Sequence, residues 1–358
     1  MNYLITGVTG VVGSHILFEL LNDKLDKNHD IEKIYVIVRR KEKISAKNRV
    51  SAILTHKDSP NYIKKHNLEK LLNCIEVLEV DLLDHENIQK KLPSEKLLII
   101  HAAGSTNLSS DLKACLEVEN NNLKATQNLI SSLQNTLSTF VYISTAFSEG
   151  FINDNQERVF RNPYEKAKYD TENTVIHICE KNNINWKILR PSIVCGRVID
   201  SPLYFTPKFD VFYGWAKFFY TFKNQITTQF RIFVDEKSSL NIIPVDVLAK
   251  KIVFYSSNYQ TKIQNLINNT SIPIENQIKS VMNSLNITNY SIVNTLPEKL
   301  NKIEEIYYST IGKIFEPYIS KPITFINEKY DLKINYNLES EMNSLIKYAI
   351  NKKFKESY

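Results

Sequence analysis

The chain has 358 residues, 43% of them hydrophobic, with a formal charge of +6 at pH 7. This is enough apolar material for one large domain or two intimately joined ones, and it excludes collagen, disordered and disulfide-scaffold classes. Basic residues are mixed with acidic ones rather than gathered into a block, so nucleic acid is not the expected partner, whereas a mild positive field favours phosphorylated or acidic ones.

Tyr3-Leu4-Ile5 reads as a buried strand, and Ser14 to Asn22 as a helix with Val12, Ile16, Leu17, Leu20 and Leu21 on one face. Between them lies Thr6-Gly7-Val8-Thr9-Gly10-Val11-Val12-Gly13, which holds three of only eight glycines. In this strand-to-helix position Gly7 can make the tight turn, Gly10 lets a phosphate approach the backbone with Thr9, Val11 and Val12 beside it, and Gly13 lets the helix pack on the sheet. A dinucleotide pyrophosphate at the positive helix end is the expected ligand. A first strand at Tyr3 leaves no room for a signal peptide, and no apolar run is long enough to cross a bilayer, so a cytoplasmic protein is expected. Cys74, Cys115, Cys179 and Cys195 are widely spaced with no neighbouring His cluster, and no metal site is expected.

Strand-length apolar runs recur at Lys33-Val38, Ile75-Val80, Leu97-His101, Phe140-Ser144 and Trp186-Leu189, with helical patterns between them. The alternation predicts an α/β fold, a Rossmann-type doubly wound parallel sheet. After the second strand come Arg39 and Arg40, and no acid occurs between Lys33 and Lys41. An acid there would bind the ribose hydroxyls of NAD, whereas a basic residue accepts a 2′-phosphate, so NADPH is the expected cofactor. The basic stretch from Lys41 to Leu72 reads as a solvated surface helix rather than a carrier-docking element.

Asn162-Pro163-Tyr164-Glu165 reads as a helix start, with Asn162 as N-cap and Pro163 at the first position, which puts Tyr164 and Lys168 on successive turns of one face. An adjacent ammonium and a positively charged nicotinamide favour an ionised phenol that can exchange a proton with a substrate oxygen near neutral pH. Thr145, at the carboxyl end of a strand, could hold the same oxygen.

After Gly196 the strand rhythm is lost, and a smaller, mostly helical substrate-binding region is expected over 197–358, with 1–196 as the dinucleotide-binding domain and 241–255 returning to it. The aromatic run from Phe209 to Phe222 has helical spacing, which predicts core packing, with an acyl tunnel or a peripheral membrane contact as alternatives.

With these motifs in hand, the chain resembles an extended short-chain dehydrogenase/reductase, most similar to the group of fatty acyl-CoA reductases and carrier-protein thioester reductase domains, the male-sterility-type NAD-binding group. The match rests on Thr6–Gly13, Val80-Asp81-Leu82, His101-Ala102-Ala103-Gly104, Ile143-Ser144-Thr145-Ala146 with Tyr164 and Lys168, and the runs Arg190-Pro191-Ser192-Ile193-Val194 and Ile243-Pro244-Val245-Asp246. The resemblance implies Asp81 and Leu82 near the adenine, Ala102, Ala103 and Gly104 against the cofactor, and Pro191, Ser192, Ile193 and Val194 beside the nicotinamide. It also implies Thr145 and Tyr164 on the substrate oxygen and Lys168 on the nicotinamide ribose. Asn122 begins the family's Asn-x-x-Gly-Thr helix, here with Ala125 in place of glycine, and the stretch from Thr145 to Tyr164 is short for the family. The implied reaction is reduction of an acyl thioester to an aldehyde, with further reduction to the alcohol left open, the substrate delivered in trans by an acyl carrier protein or coenzyme A. A nucleotide-sugar epimerase or dehydratase shares the glycine loop and the Thr-Tyr-Lys set, but dehydratases follow the threonine with Asp-Glu, where this chain has Ala146-Phe147. A non-catalytic cofactor-binding sensor or scaffold would be expected to have lost Tyr164 or Lys168.

Overall fold

Seven parallel strands carry the fold, most of their side chains buried because helices cover both faces. In the computed structural model, which describes residues 1–26, 30–132, 137–257, 261–325 and 332–358, these are β1 (Asn2–Thr6), β2 (Lys33–Val38), β3 (Ile75–Glu79), β4 (Leu97–His101), β5 (Leu137–Ile143), β6 (Asn185–Pro191) and β7 (Ile263–Leu266). Their order is β7-β6-β5-β4-β1-β2-β3. The chain runs outward from β1 to β3 and returns on the other side of β1 with β4, Thr6 pairing His101. The loops after β1 and β4 therefore part, and a crevice opens between them at the carboxyl ends of the strands.

Six helices matter to the site: α1 (Val11–Leu25), α2 (Pro163–Lys181), α3 (Phe212–Phe222), α4 (Val245–Ser257), α5 (Ile311–Ile319) and α6 (Leu338–Asn351). On one face of the sheet α1 and α4 bury Ile16, Leu17, Leu20, Val247, Leu248 and Ile252 in one cluster. The short helices Ala46–Leu54, Asn61–Lys64 and Leu68–Asn73 add Val50, Ile53, Ile63 and Leu71 to it, so the basic stretch expected to be solvated buries about a quarter of its residues. On the other face Val175 and Cys179 of α2 cover Phe140, Tyr142 and Ile188.

A second, largely helical core stands over the carboxyl ends of the strands. The aromatic run is its centre: Phe209, Phe212, Tyr213, Trp215, Phe218 and Phe219 are all buried, packed with Tyr307, Phe315, Tyr318 and α6. Its two polar tips are satisfied, Trp215 Nε1 donating to the Tyr307 hydroxyl at 2.9 Å and the Gly196 amide donating to the Tyr213 hydroxyl at 2.9 Å. Asp246 explains the Ile-Pro-Val-Asp run: one buried carboxylate oxygen accepts the amides of Val198, Ile199 and Asp200 at 2.7–3.0 Å and pins the turn where the chain leaves the sheet for the helical part. Among the described residues no helix is long and apolar enough to cross a membrane.

Candidate active site

The glycine loop is built to bring backbone close to backbone. Gly7 has φ +76°, and a Cβ there would lie 2.6 Å from the main chain of Ala102 and Ala103. At Gly13 a Cβ would come within 2.2 Å of the Gly7 carbonyl oxygen, while at Gly10 the nearest atom would be 3.3 Å away. Gly10 is also the N-cap of α1 and offers no side chain to its amides, which leaves the helix's first N–H groups and its positive end for an anion. These features fit a dinucleotide pyrophosphate.

A cleft of about 1170 Å³ extends from this loop across the ends of β2 and β3. Gly7, Thr9 and Gly10 form one wall, Ala102, Ala103 and Gly104 the next, and Arg39, Arg40, Asp81 and Leu82 the far end. The arginine pair divides. Arg40 Nε is held by the Glu79 carboxylate at 2.9 Å, whereas Arg39 lies 3.8 Å from Asp81 in a looser, exposed pairing. A third cation, Arg49, lines the same end and donates to the Arg39 carbonyl at 2.7 Å. Sequence reasoning missed Arg49 because it lies within the stretch read as a solvated helix; its signal was ten residues' spacing from Arg39 on the first helix after β2.

The loop after β4 is fixed by a buried polar chain. Thr6 Oγ1 lies 2.7 Å from His101 Nδ1, His101 Nε2 lies 2.9 Å from Thr126 Oγ1, and Thr126 donates to the Asn122 carbonyl at 2.5 Å. Burial, with Lys168 nearby, lowers the His101 pKa to about 3, so the imidazole stays neutral and bridges as one donor and one acceptor. Asn122 sits in a widened turn, Glu119–Lys124, and its side chain accepts from the Ser105 amide at 2.7 Å and donates to the Ser105 carbonyl at 3.1 Å. Asn122 thus holds the cofactor-facing loop from behind instead of lining the cleft.

The cleft opens into a smaller chamber of about 160 Å³. Val11, Val12, Ser192, Ile193 and Val194 line one side, Thr145 and Tyr164 another. Ser192 Oγ is buried with no partner among the described residues, as suits a group waiting for a ligand amide. Thr145 is placed by strand continuation, the amides of Ser144 and Ala146 donating to the carbonyls of Leu189 and Pro191 at 2.8 Å. Pro191 and Lys168 stand behind the chamber wall. α2 starts as its sequence demands, the Asn162 side chain accepting from the Glu165 amide at 3.0 Å. Tyr164 and Lys168 share one face, the Lys168 ammonium 6.0 Å from the Tyr164 ring, and Tyr164 lines the chamber together with Thr145.

The charge state differs from the expectation of an ionised phenol. Burial raises the Tyr164 pKa well above 10 against the opposing pull of Thr145, and burial lowers Lys168 to about 8 despite Glu172. The cause is that both groups are withdrawn from water, while the pyridinium charge that would favour phenolate belongs to the ligand.

The short segment after Thr145 forms a small hairpin, Phe151–Ile152 with Arg158–Val159, and gives the chamber only Phe147. Further cover comes from α5, whose Phe315 and Tyr318 line the chamber. The Tyr318 hydroxyl donates to Glu165 at 2.6 Å and accepts from Asn162 Nδ2 at 2.6 Å, joining α5 to the start of α2. Nothing in the sequence marked Tyr318, which lies 154 positions beyond Tyr164.

Comparison with known proteins agrees with this geometry. A bovine protein named fatty acyl-CoA reductase 2 is 29% identical over 173 residues, covering 46% of this chain and 32% of that protein, so the chain spans about a third of the length of such a relative. Among solved structures, a thiolation-reductase di-domain from an archaeal non-ribosomal peptide synthetase superposes with a TM-score of 0.67 at 16% identity, covering 99% of this chain and 91% of that one. UDP-glucose 4-epimerase from Thermotoga maritima does so with a TM-score of 0.61 at 14% identity, covering 98% and 99%, and at these identities both show the fold alone. The family model described as male sterility protein matches residues 5–252, well over half the chain, a span that includes the glycine loop, Thr145, Tyr164, Lys168 and the Ile-Pro-Val-Asp run. The chain belongs to the male sterility protein family, and its cleft has the make-up of an NAD(P)-dependent oxidoreductase site.

Proposed function

We propose that this chain reduces an acyl thioester to an aldehyde with NADPH as cofactor. The observation that carries the reading is the meeting of Thr145, Tyr164 and Lys168 at the wall of a small apolar chamber that opens onto a dinucleotide-shaped cleft. The chemistry a reduced nicotinamide supplies when bound is hydride donation to a carbonyl carbon. Everything else falls to the protein. Thr145 and Tyr164 both present hydroxyls to one carbonyl oxygen and stabilise the charge that grows on it. Burial keeps Tyr164 protonated, so it enters the reaction as a donor, and Lys168, anchored through the Ile143 carbonyl at 2.8 Å, biases the phenol toward releasing its proton when charged. When the carbonyl re-forms, the C–S bond breaks, the aldehyde stays and the thiolate leaves, taking up a proton as free thiol.

Two features favour a thioester over a nucleotide sugar. Phe147, Leu240 and Phe315 wall the chamber, where a sugar would need hydrogen-bond partners for its hydroxyls. Four of the five curated relatives are named as fatty acyl-CoA reductases and one as a UDP-glucose 4-epimerase, and the thiolation-reductase likeness supports an acyl carrier protein as a second donor. Preference for NADPH follows from Arg39 and Arg49 at the far end of the cleft. The test mixes purified protein with NADPH and acyl thioesters of coenzyme A and of a carrier protein, following cofactor oxidation and trapping aldehyde. Aldehyde formation that vanishes in Tyr164→Phe is the expected result; no oxidation with any thioester would count decisively against it.

A further inference from the structure

The chamber that would take the acyl group is small, about 160 Å³, and partly walled by packed core residues. Six residues, Thr106, Leu108, Lys208, Asp210, Val211 and Phe315, line both the cleft and the chamber and so form the neck between them. Phe147, Tyr213, Leu240 and Tyr318 line the chamber but not the cleft, each at most 8% exposed and each part of the core of the helical region. None is free to swing aside. The Tyr213 hydroxyl is bonded to the Gly196 amide and the Tyr318 hydroxyl to Glu165. Phe147 packs edge-on against both Tyr318 and Phe325, with ring centroids 5.4 and 5.2 Å apart. Leu240 belongs to a strand pair with Ile272. Passing a long chain through this wall would require repacking a close-packed core.

We infer that this site selects acyl groups of no more than about six carbons, since a chamber of about 160 Å³ holds only about five water-sized groups at roughly 30 Å³ each. The inference rests on the thioester-reductase reading. The same chamber must also admit one edge of the nicotinamide along Val11, Val12 and Ser192, so the room beyond Thr145 and Tyr164 is smaller still. Leu240 and Phe147 set the depth, and the thiol arm reaches the reacting carbon through the neck.

Two measurements test it. Turnover with S-acyl-pantetheines from acetyl to palmitoyl, whose arm is common to coenzyme A and carrier proteins, should peak at butyryl or hexanoyl, with kcat/KM at least about tenfold lower at lauroyl. Leu240→Ala, or the milder Leu240→Val should the first not fold, should move the peak toward longer chains. Calorimetry on the cofactor-free protein should find S-butyl-pantetheine thioether bound more tightly than the S-dodecyl thioether. A kcat/KM that is flat or climbs to palmitoyl, or tighter binding of the dodecyl thioether, overturns the chain-length inference and leaves the reductase reading standing. Butyl-selective binding without turnover of any thioester would support the depth of the chamber and sink the reductase reading instead.

Discussion

The ammonium of Lys168 donates to the main-chain carbonyl of Ile143 at 2.8 Å, and this bond ties α2 to the end of β5, two residues before Thr145. Tyr164 and Thr145 are therefore held near each other by a bond that neither of them makes. The lysine acts as a tether between helix and strand, so removing it should loosen the geometry as well as the electrostatics. Lys168→Met is expected to lower kcat more than a conservative Lys168→Arg, measured with any thioester the wild type accepts.

Lys168 also gives stability a pH signature. Its pKa falls from 10.5 to about 8 through burial, so the folded protein loses this proton near pH 8 while the unfolded chain keeps it to about 10.5. Between about pH 8 and pH 10 the unfolded state binds more protons, and stability should rise with pH. From about pH 9 the buried thiols of Cys179 and Cys195 oppose the trend, and above about pH 10 the buried tyrosines do, since their raised pKa values make the folded state the better proton holder. Lys187, lowered to about 8 by burial as well, shares the window with Lys168. Chemical denaturation just below pH 8 and near pH 10 should therefore show a more positive change in stability in wild type than in Lys168→Met; equal changes would remove Lys168 as a cause.

Tyr164→Phe keeps the ring and its packing but removes the donor to the substrate oxygen. A loss of about 100-fold or more in kcat is expected, the scale seen when one oxyanion donor is removed. NADPH binding, followed by its fluorescence, should be nearly unchanged. A variant that loses both together would point to a structural role for the hydroxyl.

The three loop glycines should not be equivalent. Gly13→Ala forces a Cβ to 2.2 Å from the Gly7 carbonyl, a backbone atom that cannot step aside, whereas Gly10→Ala meets its nearest neighbour at 3.3 Å. The first should cost about 1–3 kcal/mol of stability and the second under about 1 kcal/mol, while both weaken cofactor binding. Thermal unfolding with and without NADPH separates the two effects.

Cofactor choice should follow the two arginines at this end that no carboxylate among the described residues holds within hydrogen-bond distance. Arg40 is engaged by Glu79, so Arg40→Ala should change the NADPH to NADH ratio little. Arg49→Ala and Arg39→Ala should each reduce it by roughly tenfold or more, the worth of one hydrogen bond to a charged group. Steady-state kinetics with both cofactors decide, and an Arg40 variant with the largest effect would redirect the assignment.

The parts of this site that could be read from sequence are those set by local rules. Gly7, Gly10 and Gly13 announce themselves because close backbone approach excludes other residues, and Asn162-Pro163-Tyr164-Glu165 spells a helix start whose spacing delivers Lys168. What escaped depends on distant packing. β7, Ile263-Gln264-Asn265-Leu266, is half polar and has no strand signature; it exists because β6 offers an edge to pair with. Arg49 reads as one more surface cation until its helix is docked, and the chamber wall combines Phe147, Leu240 and Phe315 from segments with no common pattern. Ser192 and Asp246, found through the family likeness, turn out to do different jobs, one facing the ligand space and the other holding a turn.

Tyr318 is the residue through which the C-terminal part of the chain reaches the chemistry. Its hydroxyl donates to Glu165, a fully buried carboxylate that also holds Arg161, with a side-chain contact of 3.2 Å and the Arg161 amide at 3.1 Å. Tyr318→Phe would leave a carboxylate oxygen of Glu165 short of a donor and the Asn162 amide without its acceptor, two buried groups at the N-terminus of the helix that carries Tyr164. A cost of about 2 kcal/mol or more is expected, because each buried polar group stripped of its partner loses about 1–3 kcal/mol. The same change should lower kcat, since the first turn of α2 sets the direction of the phenol. Pairing Tyr318→Phe with Glu165→Gln in a double-mutant cycle isolates the bond. A coupling energy near zero would mean that α5 covers the chamber without positioning α2, and kcat should then survive the substitution.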